Sequence, residues 1–237
     1  MFINEKEVWF LWTDIARSPS QNMAIDEALL ARSEFLGGRP ILRVYGWDTP
    51  SISIGYSQTY PQEHENTHSI IRRPTGGGIV FHDLDLTYTI VVPPEHRICS
   101  LNRMESYRIF HHQLVKFYRE NGINAELSPV SNMPKDRTKM QCFVNPAQYD
   151  VVANGKKLAG GAQRRSRSGI LHQGSIVVEG IEHSRKKILR SFIKSYSEWF
   201  RIEFTVFELC DALFNLADEL IAKKYSTEEW NKYGENS

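Results

Sequence analysis

The sequence of 237 residues has little cysteine, no dominant charge and no long apolar run. Its three cysteines stand at 99, 142 and 210, odd in number and far apart. That spacing argues against a disulfide framework. None forms a C-x-x-C pair, so a structural zinc site is not expected. Lys and Arg number 29 against 28 Asp and Glu, a formal charge of +1. Bulk electrostatic binding to nucleic acid needs a strong basic excess, and the near-neutral balance argues against it. No apolar stretch approaches the roughly 20 residues of a membrane span. Met1–Trp12 mixes apolar and charged residues without a basic start, an apolar middle and a small-residue cleavage site. The expectation is therefore a cytoplasmic protein with no membrane or nucleic-acid partner. Repeats and low-complexity tracts are also missing.

What is present is ordinary globular composition, 41% hydrophobic and 24% charged, at a length that supports one large domain. Ser20–Leu36 reads as a helix stopped by Gly37-Gly38-Arg39-Pro40. Strand-like runs follow at Ile41–Tyr45, Ser51–Gly55 and Ile70–Arg73. Leu86–Val92 alternates, with Leu86, Tyr88, Ile90 and Val92 on one face and Thr87, Thr89 and Val91 on the other. Glu105–Asn121 predicts a second helix, and Pro129–Cys142 a polar loop. Strands return at Tyr149–Ala153, Lys157–Leu158 and Leu171–Val178, before helices at Ser184–Phe200 and Leu209–Lys224. Strands cluster in the middle and helices flank them. This is α+β, one mixed β-sheet with flanking helices, in a single domain over 1–237. A small helical C-terminal subdomain could begin near 184.

Three segments carry candidate chemistry. In Arg72-Arg73-Pro74-Thr75-Gly76-Gly77-Gly78-Ile79-Val80-Phe81-His82-Asp83, two arginines end a strand. The glycines then let main-chain N–H groups approach a ligand. A carboxylate, acyl carbonyl or phosphate would suit it; a plain glycine turn is the structural alternative. It matches neither the P-loop nor the dinucleotide fingerprint. In Gly155-Lys156-Lys157-Leu158-Ala159-Gly160-Gly161-Ala162-Gln163, a lysine on a short strand points at a second glycine-rich turn. Its ammonium would polarise a carbonyl or meet a phosphate; solvated lysines at a hairpin are the alternative. Cys142 ends the polar loop, before Phe143 and Pro146. A cation such as Lys157 would activate its thiol, or it could be an inert core residue. Cys210, beside a helical apolar stripe, is read as core.

His64-Glu65-Asn66-Thr67-His68 matches the zinc pattern H-E-x-x-H, but polar flanks and Pro61 argue for a solvated loop, and no metal is expected. His111-His112 reads as a solvent-facing or packing pair. Asp14 and Asp26 show no identifiable partner.

Together these segments resemble the biotin/lipoate protein ligase and lipoate–octanoate transferase family. The likeness runs from Asn22–Ala28 to Lys224–Asn231 and is strongest in Arg72–Asp83 and Lys157–Gly174. It implies the biotin/lipoate protein ligase catalytic-domain fold and an enzyme attaching octanoyl or lipoyl groups to a lysine of a carrier domain. Implied acceptors are lipoyl domains of 2-oxoacid dehydrogenase complexes or the glycine cleavage carrier protein. Cys142-Phe143, Pro146 and Tyr149-Asp150 look like the cysteine-bearing octanoyltransferase branch, with acyl carrier protein as donor and no cofactor. In that branch Cys142 and Lys157 are catalytic. Arg72, Arg73, Thr75, Gly76, Gly77, Gly78, His82, Asp83, Gly160, Gly161, Ala162, Gln163 and His172 bind substrate. The alternative is an ATP- and Mg-dependent lipoate–protein ligase, in which Cys142 is incidental. Gly78 completes the ligase form of the loop, where the cysteine branch has Gly-Gly-Arg. Leu171-His172-Gln173-Gly174 departs from both branches, because the imidazole before Gly174 is absent. A third reading is a binder of lipoyl-type domains that does not turn over.

Overall fold

A computed structural model describes residues 6–83, 85–129 and 146–234. Cys142 and Phe143, and most of the expected Pro129–Cys142 loop, lie outside the described residues.

The described residues form two sheets, not one. The larger has eight strands in the order β11-β1-β2-β6-β10-β9-β8-β7. These are β1 (Glu7–Arg17), β2 (Ile41–Trp47), β6 (Asp85–Val92), β7 (Glu126–Leu127), β8 (Val151–Ala153), β9 (Lys156–Ser166), β10 (Gly169–Val177) and β11 (Ile202–Val206). The smaller has three in the order β4-β3-β5: β3 (Ser51–Ile54), β4 (Ser69–Arg72) and β5 (Val80–Phe81). β1 pairs in parallel with β11 and β2, and the remaining neighbours of the large sheet are antiparallel.

Both faces of the large sheet are covered, so its central strands are buried throughout. Leu86, Tyr88, Ile90 and Val92 of β6 enter one core with Phe110, Leu114 and Phe117 of α2 (Arg103–Glu120) and Phe192 and Tyr196 of α3 (Arg185–Phe200). Val91 enters a second core with Met23, Ala24 and Ala28 of α1 (Pro19–Ala31) and Leu213 and Ala217 of α4 (Asp211–Leu220). The alternation expected for this strand is the alternation that separates the two cores.

Helix ends follow local chemistry. At α1, Ser18 Oγ accepts from Gln21 N at 3.3 Å while Gln21 Oε1 accepts from Ser18 N at 3.2 Å, a reciprocal cap with Pro19 in the first turn. Asn102 and Glu105 do the same for α2. The helix expected to reach Leu36 stops at Ala31; Ser33–Leu36 tightens into a 3-10 turn closed by Gly37 in the left-handed region.

Two expectations fail in an informative way. Lys157–Leu158 was expected to be a short strand leading into a glycine turn. Instead β9 runs eleven residues, and Gly160–Gly161 lie within it, paired with Ser175 and Gly174. Strands β1 and β11 were not expected at all. They form the parallel edge that carries Trp9 and Ile202 into the first core.

Candidate functional site

A cleft opens on the α1 face of the large sheet, where the small sheet abuts it. Its lining includes Met23, Tyr45, Trp47, Val80 and Ala162, together with Gly77, Gly160, Gly161 and Gly174. The lining is largely apolar side chain and bare glycine backbone. The polar groups beside it are organised in three sets.

The first set holds the glycine loop by charge. Arg73 donates from Nη2 to the carbonyls of Gly76 and Gly78, both at 2.9 Å, and from Nη1 to Ser53 O and Oγ, both at 2.7 Å. Ser53 Oγ lies 2.6 Å from His82 Nε2, and His82 Nδ1 lies 2.8 Å from Asp85 Oδ2. Asp85 also accepts from Thr87 Oγ1 and Ser175 Oγ. Burial alone would raise the Asp85 carboxyl, but His82 and the two hydroxyl donors outweigh it and hold it below the usual carboxylate range. Trp47 stacks on the imidazole at 4.1 Å. Serine, histidine and aspartate in this order invite comparison with a nucleophilic triad. Ser53 is fully buried, however, and its oxygen is gripped by Arg73, so the set acts as a brace for the loop.

The second set ties the same loop to α1. Thr75 Oγ1 donates to Gln173 Oε1 at 2.7 Å, and Gln173 Nε2 donates to Asp26 Oδ2 at 2.8 Å. Asp26 further accepts from Arg43 Nη1 at 2.7 Å, Thr89 Oγ1 at 2.6 Å and Tyr45 OH at 3.0 Å. Arg43 spans Asp26 and Asp14, and Asp14 also pairs with Arg17. The two aspartates that lacked partners in the sequence are thus ligands of one buried arginine. Charged groups this deep persist because each is paired and hydrogen-bonded.

The third set is Lys157 and Asp150, Nζ to Oδ2 at 2.7 Å, both nearly fully buried. Simple alternation from Ala159, which lies in the first core, would send Lys157 to that core too. A bulge prevents it. Val151 pairs with Ala159, but Val152 pairs with Lys157, so Leu158 is an extra residue on β9. The bulge re-aims Lys157 to the cleft face, level with Asp150 and Gly160. A Cβ at Gly160 would stand 2.5 Å from Lys157 Nζ and 2.8 Å from Asp150 Oδ1; the missing side chain is the notch in which the pair sits.

Of the candidate substrate-binding residues, Arg73, Gly77, His82, Gly160, Gly161 and Ala162 line the cleft. Thr75, Gly76 and Gly78 belong to the braced loop. Four do not line it. Arg72 was expected to offer a counter-charge. Its donors instead meet the carbonyls of Gly55, Tyr56, Gln58, Trp230, Asn231 and Lys232, which fastens the C-terminal turns to the small sheet. Asp83 is exposed, 3.5 Å from His68, and Asp85 holds the place assigned to it. His172 points to the opposite core, among Tyr88, Phe110 and His111, where burial and the neighbouring His111 push its pKa well below the usual imidazole value. Gln163 shares that side, donating to His172 Nδ1 at 3.4 Å and accepting from Ser106 Oγ. Gln173, set aside in the sequence as a departure, is the residue that faces the cleft. The alternation of β10 carries the signal: His172 and Gly174 share one face, Gln173 and Ser175 the other.

His111 is fully buried, not solvent-facing, and donates from Nδ1 to Tyr149 O at 2.8 Å. Gln62–His64 is a 3-10 turn, His68 Nδ1 meets Thr67 Oγ1 at 2.9 Å, and Glu65 pairs with Lys232. Cys210 sits half-buried before α4, against the second core. Among the described residues no helix is long and apolar enough to cross a membrane.

An α+β domain with an apolar, glycine-lined cleft and a buried lysine at its side describes an acyl-attachment fold. Residues 18–212 match the lipoyl protein ligase A/B catalytic domain, and the chain belongs to that family. It is an enzyme of this kind. It is 30% identical to the octanoyltransferase LipM of Bacillus subtilis, over 96% of this chain and 99% of the relative. It is 36% identical to the LipM of Kyrpidia tusciae, over 73% of this chain and 67% of the relative. Among solved structures, a T. acidophilum protein with bound lipoic acid superposes with a TM-score of 0.79 at 25% identity, covering 95% of this chain and 98% of that one. A lipoate-protein ligase A bound with ATP gives 0.78 at 26%, covering 94% and 98%.

Proposed function

We propose that the protein is an octanoyltransferase that moves an octanoyl group from acyl carrier protein to a lysine of a lipoyl domain, through a thioester on Cys142. The observation that carries this reading is the bulge at Leu158, which turns Lys157 onto the cleft face beside Gly160. A cation there favours a nearby thiolate and meets the oxyanion that forms when a thioester carbonyl is attacked.

The steps balance without a cofactor. The Cys142 thiolate attacks the octanoyl carbonyl carbon, the C–O π pair moves to oxygen, and Lys157 donates a hydrogen bond to that oxyanion. Collapse breaks the bond to the donor sulfur, which leaves as a thiolate and takes a proton from solvent. The acceptor lysine, as the free amine, then attacks the Cys142 thioester. Its surplus proton goes to solvent, the amide forms, and the Cys142 thiolate is regenerated. The Lys157 charge helps keep the incoming amine unprotonated. The cleft, with Met23, Val80 and Ala162 in its wall, suits an acyl tail worth about 0.8 kcal/mol per buried CH₂. The donor and acceptors in this reading are cytoplasmic proteins, and the enzyme is placed with them.

Intact-protein mass after incubation with octanoyl carrier protein tests the proposal. A mass increase of one octanoyl group in the wild type, lost in Cys142→Ala together with transfer, is expected. An undiminished rate in Cys142→Ala would remove the assignment.

One observation favours a second reading, ATP-dependent lipoate ligation. The ligase-type triple glycine is held open by Arg73, whose donors are taken up by the Gly76 and Gly78 carbonyls, which leaves loop N–H groups to meet a carboxylate or phosphate. Arg73 and Lys157 are the cations that would stand near the nucleotide. Among the described residues no cluster of three His, Cys, Asp or Glu side chains is arranged for a metal. Lipoate-dependent ATP–pyrophosphate exchange separates the two chemistries.

A further inference from the structure

We propose that Asp150 and His111 are positioning residues for the Lys157 ammonium, acting together through the Tyr149–Asp150 segment. The inference rests on the role given to Lys157 above.

A lysine side chain has about 2 kcal/mol of rotamer entropy to lose before it can stay in one place. Lys157 is held by a carboxylate that is itself held. Asp150 Oδ2 accepts from Lys157 Nζ at 2.7 Å and from Ala147 N at 2.6 Å. The Asp150 carbonyl accepts from Ser128 N at 2.7 Å, and its own N–H donates to Ala147 O at 3.1 Å. These contacts engage the backbone N–H, the backbone carbonyl and Oδ2 of Asp150, and Oδ1 faces the Gly160 notch.

The segment that delivers Asp150 is strained. Tyr149 has φ +69°, left-handed for a residue with a side chain, at a cost of about 1–2 kcal/mol. Two bonds pin it: Tyr149 N donates to Ser128 O at 2.9 Å, and His111 Nδ1 donates to Tyr149 O at 2.8 Å. His111 comes from the buried stripe of α2, so a rigid helix sets the height of the Tyr149 carbonyl and hence the direction of the following aspartate. Burial lowers the His111 pKa, which keeps the ring neutral with its proton on Nδ1, the nitrogen that faces a carbonyl. Its Nε2 has no hydrogen-bond partner among the described residues. A buried imidazole with one nitrogen unanswered costs stability, about 1–3 kcal/mol for such a group. Its one hydrogen bond among the described residues is the one to Tyr149, so the bracket is the function that offsets this cost. The device is a helix-mounted donor, a strained peptide and a fixed carboxylate, ending at an ammonium inside a glycine notch.

The test measures octanoyl transfer by steady-state kinetics, with melting temperature recorded for every variant. Asp150→Ala is expected to lower kcat about 100-fold, the scale of an ångström-level misplacement of a catalytic group, with KM for the acyl donor within about twofold. Asp150→Asn keeps an acceptor oxygen in place and recovers about 10-fold of that loss. His111→Phe lowers kcat about 10-fold, and His111→Asn, whose amide nitrogen can stand where Nδ1 stands, restores most of it. In the Asp150→Ala background His111→Phe has no further effect on kcat, because both act through one route. Wild-type kcat in Asp150→Ala, or losses that multiply in the double variant, would overturn the bracket. If His111→Phe does not fold, the Asp150 pair and His111→Asn still decide it: Asp150→Ala and Asp150→Asn alike at wild-type kcat refute the proposal. Lys157→Ala run alongside separates the two levels. Full activity there retires the role of Lys157 itself, whereas an inactive Lys157→Ala beside an active Asp150→Ala removes only the bracket.

Discussion

Two glycine-rich segments border the cleft and use glycine for opposite reasons. Thr75–Gly78 is a turn. Gly77 has φ +93°, and its carbonyl passes so close to Gly55 that a Cβ there would lie 2.0 Å from it. Gly160 and Gly161 are strand, paired residue for residue with β10, and neither has positive φ. Their missing side chains make room: Lys157 and Asp150 over Gly160, His172 against Gly161 on the other face. The turn needs glycine for backbone freedom, the strand needs it for volume. The difference also divides the physics. The turn is held by charge, through Arg73 and the Asp85–His82–Ser53 chain, and the strand pair is held by sheet hydrogen bonds and shape.

The contrast breaks hardest at Lys157. Lys157→Ala should lower octanoyl transfer by about 100- to 1,000-fold, the range for loss of one oxyanion donor; kcat measures it, and normal turnover would show that the notch serves something else. Gly160→Ala comes next. Its methyl would lie 2.4 Å from Lys157 Cε, the end of a flexible chain, so the lysine moves and the sheet stays. Transfer should fall about 10- to 100-fold with a melting temperature close to wild type. Gly77→Ala should show instead in the melting temperature. The left-handed backbone costs about 1–2 kcal/mol, which for a chain of this size lowers the melting temperature by about 2–8 °C. Were Gly160→Ala to melt early and keep its activity, the division between volume and freedom would be mistaken.

Much of this was legible in the sequence. The 2-residue alternation of Leu86–Val92 sorted its side chains between the two cores correctly, because both faces of that strand are packed. The helices of Phe110 and Phe192 announced themselves by their stripes. The family match bears out the family resemblance. Other features needed the fold. Glycines spell a turn unless a neighbouring strand pairs with them, and Gly160–Gly161 are strand because β9 and β10 form one long hairpin in which they face Ser175 and Gly174. A bulge leaves no composition signal, so the direction of Lys157 was unreadable although its identity was not. Strand β11 is short and mixed in polarity, and it exists only because β1 offers it an edge. Asp26 looked partnerless because Arg43 comes from a strand 17 residues away. His172 was expected at the substrate and faces away from the cleft, where Gln173 faces it, because one step along a strand reverses the face.

The smallest effect tests the charge side of the comparison. The Asp85 carboxyl titrates below its ordinary value in the folded protein, since His82 and the donors from Ser175 and Thr87 overcome its burial. A depressed folded pKa means that the unfolded chain takes up the proton first. The stabilisation is therefore complete above the unfolded value of about 3.9 and is lost as the pH falls from there through the lower folded value. Asp14 and Glu27 are lowered for like reasons and add to the same acid limb, so the wild-type curve alone does not isolate Asp85. Asp85→Asn does, since it keeps the shape and an acceptor but removes the titration. Between about pH 5 and pH 3 the melting temperature of Asp85→Asn should fall less steeply than that of the wild type, starting from a lower plateau at neutral pH. Proteolysis within residues 73–78 should quicken with acid in the wild type, because protonated Asp85 releases His82 and, through Ser53, the arginine that tethers the turn. The Gly160 strand carries no titrating group in its own backbone pairing and should keep its amide protection across the same range. Parallel melting curves for the two proteins would mean that the loop stands on its packing against Gly55, and that the charge chain is a passenger.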